Sequence, residues 1–549
     1  MILTKSIKSL FLFISATLFP ILSQAQGAGL DAWIDEKFTP VSNAFAGIVF
    51  YNIPGTNVPI VVALLVFGAA YFTLYFSFVN IRRFGLALRV VSGKYDAIEM
   101  AGDADGNSNV NVVDGDIVDT IRDESKHGEV SHFQALATAV SGTVGLGNIA
   151  GVAIAIAIGG PGATFWMIVC GLLGMSTKFV ECTLGVKYRD IGPDGTVFGG
   201  PMYYLTKGFE EKGYKKVGKF LAVMFAILCI GGSFGGGNAA QANQAVQQMV
   251  SLFGLTGTPA IGAILGFVLA IIVGIVIIGG IKRIATVTEK LVPLMAVIYI
   301  LACLIIVFMN FGLLDDAIAL IMKSAFSSDA AVGGFFGVLV QGFRRAVFSN
   351  EAGAGSASIA HSAVKTKFPA SEGIVALLEP FIDTVVICTL TALVIVLYNF
   401  NGFFAYGGDG AGNVMMNEGG RIVGGVDLTS DAFAHSISWF PIVLTIAIVL
   451  FAVSTMISWS YYGLQAWKYL FGKSRSADLT YKVLFLIMVV VGSASSMQAV
   501  FNFSDAMILG MVFPNMIGLF FLAGEVKKEI NRYLKAIGEK TYFDVKTDD

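Results

Sequence analysis

Residues 135–158 form an apolar run long enough to cross a bilayer, for which about 20 residues suffice. Its middle reads Ser141-Gly142-Thr143-Val144-Gly145-Leu146-Gly147-Asn148, with three glycines and three polar side chains where a lipid-facing helix carries leucine. Backbone loosened by glycine is tolerated in a membrane only where something else satisfies its N–H and C=O groups. A helix interrupted near the midplane offers free N–H groups from one half and free C=O groups from the other, a site for a small zwitterion and a cation. Such glycines also serve close helix–helix contact; Thr143 and Asn148 beside them favour a site.

Composition points to an all-α polytopic membrane protein. The 549 residues are 55% hydrophobic and 13% charged, against about 25% charged in soluble domains. A net charge of −2 offers no electrostatic footprint for nucleic acid. The five cysteines lack CxxC spacing and read as small core residues. Four scattered histidines and isolated cysteines supply no nucleophile–base pair at membrane depth, so an enzyme is disfavoured and no cofactor is expected. A channel would more often repeat one short motif per subunit.

From the start, Lys5 and Lys8 precede an apolar stretch ending in Ser23-Gln24-Ala25, the pattern of a signal peptide over 1–25. An outer amphipathic segment over 26–57 and an extra N-terminal membrane helix over 58–80 follow. Residues 81–134 read as a cytoplasmic loop carrying an acidic insertion at 95–130. Two five-helix repeats over 135–310 and 311–525 and a cytoplasmic tail over 526–549 complete an expected count of about 11 spans. Lys187, Arg189, Lys207, Lys282, Lys365, Lys468 and Lys527 fall on one side of this map. Asp315, Asp409, Glu418, Asp427 and Asp505 fall on the other. The positive-inside rule then puts the mature N-terminus outside and the C-terminus in the cytoplasm.

The second repeat opens with a span over 331–364 that is also interrupted, through Gly342-Phe343-Arg344-Arg345-Ala346-Val347-Phe348-Ser349-Asn350-Glu351-Ala352-Gly353-Ala354-Gly355-Ser356. Two interrupted spans in corresponding positions are the sequence pointer to a secondary-transporter site. Arg344, Arg345 and Glu351 do not belong against lipid and are expected to pair with each other or with other helices, in a gate or polar network.

Val144-Gly145-Leu146-Gly147-Asn148, Gly159-Gly160-Pro161-Gly162-Ala163-Thr164-Phe165-Trp166-Met167 and Glu181-Cys182-Thr183-Leu184-Gly185 resemble the first two helices of LeuT-like transporters. Residues 159–174, Phe348–Gly353, Leu378–Thr384 and Ser454–Gly463 are similar to the alanine or glycine:cation symporters, usually called sodium:alanine symporters. The likeness spans about 58–525. It implies a LeuT-like 5+5 inverted-repeat bundle plus one extra N-terminal helix, and sodium-coupled symport of alanine or glycine by alternating access. Proton coupling or a broader amino acid range is the alternative.

The resemblance also implies residue roles. Gly145, Leu146 and Gly147 present amides to the substrate carboxylate; Thr143, Gln241, Phe343, Val347 and Trp459 complete the substrate set. Carbonyls near Ser141, Val144 and Ala452 with the hydroxyls of Ser454 and Thr455 form the sodium cage, and Thr143 with Asn148 marks a second cation position. Asn148, Asn238 and Asn243 join Arg344, Arg345 and Glu351 in the gate or polar network. The expected partners are alanine or glycine, sodium and membrane lipid. The sequence leaves the oligomeric state open.

Overall fold

The computed structural model describes residues 30–100, 112–113, 116–117, 128–192, 195–278, 280–326 and 333–541. The expected signal peptide, most of the acidic insertion, Gly279 and the last residues of the tail lie outside the described residues. Helices dominate what is described. In chain order they are α1 Leu30–Val49, α2 Ile60–Tyr75, α3 Phe84–Val91, α4 Asp96–Met100, α5 His132–Thr143 and α6 Gly147–Gly159. Next come α7 Ala163–Lys187, α8 Pro201–Glu211, α9 Lys215–Phe253, α10 Ile261–Ile277, α11 Gly280–Met309 and α12 Leu314–Ala325. The remainder are α13 Gly334–Asn350, α14 Ser358–His361, α15 Pro369–Asn399, α16 Val426–Ser436, α17 Phe440–Phe471, α18 Arg475–Ala494 and α19 Met497–Ala536. Three two-stranded antiparallel hairpins are the strands among the described residues.

Local chemistry sets the boundaries that matter. α5 starts at a reciprocal cap: Ser131 Oγ accepts from Gln134 N at 3.2 Å, and Ser131 N donates to the Gln134 side chain at 3.1 Å. It stops at Thr143, and α6 leaves at 52° to it after the Val144-Gly145-Leu146 turn. The second interruption falls later than the sequence suggests. Residues 342–350 stay helical, because Gly342 is held against α7 with no room for a Cβ, which would come within 2.6 Å of Trp166 Cβ. The chain breaks instead at Glu351, which has φ +57°, and at Gly353 and Gly355, with φ +92° and +88°. Two of those three positions need glycine's freedom, and the third forces a carboxylate-bearing residue into the left-handed region.

The expected outer segment is the 20-residue helix α1, laid against α19 with the Phe38 and Phe45 rings 5.3 and 6.0 Å from Phe503. Asp31 accepts from Gly262 N and Ala263 N at 3.1 and 3.2 Å, capping α10. α10 and α11 present faces of Ile264, Val268, Ile272, Leu294, Leu301 and Ile305 to the outside, the surface a bilayer covers. The protein is a multi-pass membrane protein. Among the described residues, seven helices are long and apolar enough to cross alone, and the bent α5–α6 pair makes up to eight. The expected count of 11 is not reached by that measure, since α2 and α10 are only 16 and 17 residues and α13 ends at its break. All five cysteines are unpaired and buried.

Asp505 corrects the sequence map. It is not in an outer loop but fully buried in α19, where Arg344 Nε donates to it at 2.8 Å and Arg345 Nη2 bonds the same oxygen. Removing one member of a buried ion cluster leaves the other charges without compensation, at about 3–5 kcal/mol. Asp505→Ala is therefore expected to lower the thermal unfolding midpoint of the purified protein by several degrees. Asp505→Asn should fall in between, and an unchanged midpoint in both would contradict the pairing.

Candidate functional site

The turn between α5 and α6 is where four elements converge. Its amides are not left bare: Gly145 N donates to Asn148 Oδ1 at 2.8 Å, and Leu146 N donates to Gln241 Oε1 of α9 at 2.9 Å. Gln241 is fixed in turn, its Nε2 donating to Gly236 O at 2.8 Å. Two neutral amide oxygens thus sit on adjacent N–H groups at a helix interruption, the arrangement in which a carboxylate is bound without a charged partner. The approach is close because Gly145 has no side chain: a Cβ would lie 2.4 Å from Thr455 Oγ1 and 2.9 Å from Gln241 Oε1.

Widened π-helical turns surround this point, at Gly147–Gly151 in α6, Gly235–Ala239 in α9 and Phe381–Cys388 in α15. Such turns expose backbone groups and occur most often at functional positions. The third carries Asp383, which sequence reasoning did not single out. Asn148 Nδ2 donates to Asp383 Oδ1 at 2.6 Å and to its carbonyl at 3.0 Å, and Thr384 Oγ1 donates to Oδ2 at 2.7 Å. Asp383 is fully buried, and the Asn148 and Thr384 side chains that donate to it are neutral. A carboxylate held at membrane depth by neutral donors alone is a strong attractor for a cation. The signal was an acidic residue inside an apolar span, Phe381-Ile382-Asp383-Thr384.

The expected sodium cage comes together in part. Ser141 Oγ donates to Ser454 O at 2.9 Å, and Thr455 Oγ1 donates to Ser141 O at 3.0 Å, so α5 and α17 are cross-bonded through hard oxygens. Ser454 Oγ also bonds back to Phe451 O at 2.9 Å. Val144 and Ala452 are buried on the same two segments. Thr143 Oγ1 turns back onto its own helix, to Ala139 O at 3.2 Å and Val140 O at 3.3 Å. Hard oxygens in this arrangement suit an alkali cation, as cargo rather than as a resident cofactor.

Trp459 spans the two interruptions: its Nε1 donates to Gly142 O at 3.2 Å and to Glu351 Oε1 at 2.9 Å. Its indole fits because α9 carries glycine there; a Cβ on Gly237 would lie 2.1 Å from Trp459 Cγ. Glu351 also takes the Ser356 hydroxyl, so it braces its own break rather than pairing with Arg344 or Arg345. At that second break, Gly353 N donates to Glu181 Oε1 at 2.9 Å, and Asn515 Nδ2 donates to Glu181 Oε1 at 2.8 Å and Gly353 O at 2.9 Å.

Other expected residues face elsewhere. Phe343 lies beside Trp166, ring centroids 6.4 Å apart, and Val347 lines a small apolar cavity with Leu65, Cys170, Gly174 and Met516. Phe348, one residue further, is the aromatic at the turn, 3.3 Å from the Cβ positions of both Gly147 and Gly236. Counting turns back from an unknown break point could not choose between these rings. Asn238 donates to Phe485 O at 2.6 Å, and Asn243 to Gly492 O at 3.0 Å and Ser495 O at 2.8 Å. Both tie α9 to α18 and do not reach the turn.

The profile of the sodium:alanine symporter family matches residues 47–546. The chain belongs to that family. Sodium/alanine symporter AgcS of Methanococcus maripaludis is 41% identical over 75% of this chain and 86% of its own length. The probable sodium/glutamine symporter GlnT of Bacillus subtilis is 35% identical over 74% of this chain and 79% of its own. The crystal structure of MhsT in complex with L-phenylalanine aligns with a TM-score of 0.49 at 16% identity, over 75% of this chain and 99% of that one. This family member is a sodium-coupled amino acid symporter, not an enzyme, and its described residues form a mostly helical membrane bundle.

The close approach at Gly145 gives a sharp test. Gly145→Ala places a methyl group against Thr455 and Gln241, so substrate affinity in a binding assay is expected to fall at least about tenfold, or ~1.4 kcal/mol. Thermal stability without ligand should fall as well, because Thr455 and Gln241 must give way, so affinity is measured well below the variant's unfolding midpoint. Wild-type affinity in the variant would place the substrate elsewhere.

Proposed function

We propose that this symporter carries small neutral amino acids, alanine and glycine, into the cell together with sodium, by alternating access around the α5–α6 turn. The observation that carries the reading is the pair of amides at Gly145 and Leu146, each holding a neutral side-chain oxygen of Asn148 or Gln241. A substrate carboxylate replaces those oxygens and gains a charge-assisted version of the same bonds. Sodium is held on the far side of the turn, by the Ser141–Ser454–Thr455 oxygens and by Asp383 with Asn148. One side chain, Asn148, touches both the amide at Gly145 and the carboxylate at Asp383, which couples the two ligands through a single contact.

Trp459 and Phe348 set the size. Both are buried against glycines of the turn and of α9, and crowding of that kind favours a hydrogen or a methyl group over a branched chain. Selectivity between alanine and glycine is then soft, because a single methylene is worth about 1–3 kcal/mol. The glutamine relative shows that family names alone do not fix the substrate. The cation-bearing ends of the helices face the cytoplasm of a bacterial inner membrane, following the asymmetry of the loops.

Uptake of labelled alanine into proteoliposomes tests the reading. Accumulation is expected with an inward sodium gradient and not when choline replaces sodium. Excess glycine should block it and leucine should not. Gln241→Ala should cut uptake at least about tenfold, ~1.4 kcal/mol, by loosening the turn. Uptake indifferent to sodium, or competed equally by leucine, would overturn it.

A further inference from the structure

Below the turn runs a chain of buried ionisable side chains that the transport reading does not use. Lys178 Nζ of α7 donates to Glu379 Oε1 at 3.0 Å, and Glu379 Oε2 is 3.4 Å from His361 Nε2. His361 Nδ1 is 2.5 Å from Glu372 Oε1, and the other oxygen of Glu372 bonds His132 Nδ1. His132 Nε2 is 2.7 Å from Glu99 Oε2, and Tyr533 Oη donates to Glu99 Oε1 at 2.7 Å. Six elements, α4, α5, α7, α14, α15 and α19, are joined in one line, and every carboxylate in it is 1% exposed or less.

Each imidazole has a carboxylate oxygen on both ring nitrogens. A neutral ring carries a single N–H and would aim a lone pair at the second carboxylate, so both rings are held as imidazolium. The charges then balance: Lys178, His132 and His361 against Glu99, Glu372 and Glu379. With neutral rings, only Lys178, and Arg189 near Glu372, would face the three carboxylates, leaving a negative charge uncompensated in the interior, which is strongly unfavourable.

The chain reaches water at one end. His132, Ser131, Asp96, Lys365, Val91 and Ser92 line a cavity of about 180 Å³ at the start of α5. Among the described residues, the charged groups facing His132 are Glu99, Glu372, Asp96 and Lys365. Those facing His361 are Glu372 and Glu379, with Lys178 next along the line. Lys178 also feels Glu351 and Glu181 through space. Arg189 braces the same region from the end of α7, donating to Ser362 O at 2.9 Å, Val364 O at 2.6 Å and Thr366 O at 3.0 Å, with burial drawing its guanidinium down to about 10.

We propose that His132 is a proton-binding site of the inner gate: its imidazolium pins α5 between Glu99 and Glu372, and gate opening releases its proton to the cytoplasm. The inference rests on the alternating-access reading and adds to it that α5 moves away from α4 and α15 to open the inner path. Once α5 leaves, the ring meets water, where a histidine titrates near pH 6.5 and is neutral in the cytoplasm. The closed gate binds the extra proton, so acid on the cytoplasmic side favours closure and rising pH favours opening. One linked proton changes the open/closed ratio up to tenfold per pH unit.

The test reads the gate without any substrate. A reporter, Ala137→Cys, sits on α5 at 5% exposure, and an exposed control, Lys216→Cys, corrects for the pH dependence of thiol alkylation. Inside-out membrane vesicles are treated with an impermeant maleimide from about pH 6 to about pH 8, the range in which histidine titrates. Labelling of each peptide is followed by mass spectrometry. Reporter labelling, normalised to the control, is expected to rise at least about fivefold across the range and to be flat in His132→Gln. Should that variant fail to reach the membrane, Glu99→Gln, which removes the opposite half of the clamp, is expected to be flattened as well. A flat profile without either substitution, or an unaltered slope in the variant that is measured, overturns the proposal. Because no amino acid is added, failure here is separate from a wrong substrate assignment, which the uptake assay alone reads.

Discussion

A backbone that stops being helical in the middle of a membrane must find partners for its N–H and C=O groups, and this requirement organises the molecule. The first interruption, between Thr143 and Gly147, is served by Gln241 and Asn148. The second, from Glu351 to Gly355, is served by Glu181 and Asn515. Each break therefore needs polar groups reaching it from neighbouring helices. Glycines at 142, 145, 232 and 237 bring those helices close enough to reach. Trp459 bonds both breaks at once, through Gly142 O and Glu351, so the two halves of the bundle meet at one indole.

Two charge systems lie at opposite ends of this arrangement. Asp505, near the start of α19, collects Arg344 and Arg345. Tyr533, near its end, closes the line that begins at Lys178. The two positions differ by 533 − 505 = 28 residues, a separation of about 42 Å along a helix. Ion clusters of this kind add little stability over apolar packing, but each holds several helices in one register and loses that hold when one member moves or is neutralised. That suits structures that must be closed on one side and open on the other in turn.

Much of the fold was legible in the sequence. The Gly/polar stretch at 141–148 marked the first break to within a residue or two. The second break was legible as an event but not in place, because residues 342–350 read as interrupted while their packing against Trp166 keeps them helical. That shift also moved the aromatic at the turn from Phe343 to Phe348. Asn238 and Asn243 carry the composition of a site, yet serve as helix–helix bonds, and only the partners Phe485, Gly492 and Ser495 reveal it. Lys178, Glu181, Glu372, Glu379 and Asp383 stand out as ionisable residues within or beside apolar spans. What composition withheld was that distant residues such as His132 and Glu99 would join them, since that depends on which helix ends meet.

The claim on which everything else rests is that Gln241 and Asn148 occupy the place of a carboxylate. A structure of the protein with sodium and alanine bound tests it most directly. The account predicts a substrate carboxylate with oxygens about 3 Å from both Gly145 N and Leu146 N, Gln241 displaced from Leu146, and a cation beside Asp383 or the Ser141–Thr455 oxygens. Alanine bound elsewhere, with Gln241 still on the Leu146 amide, would contradict it.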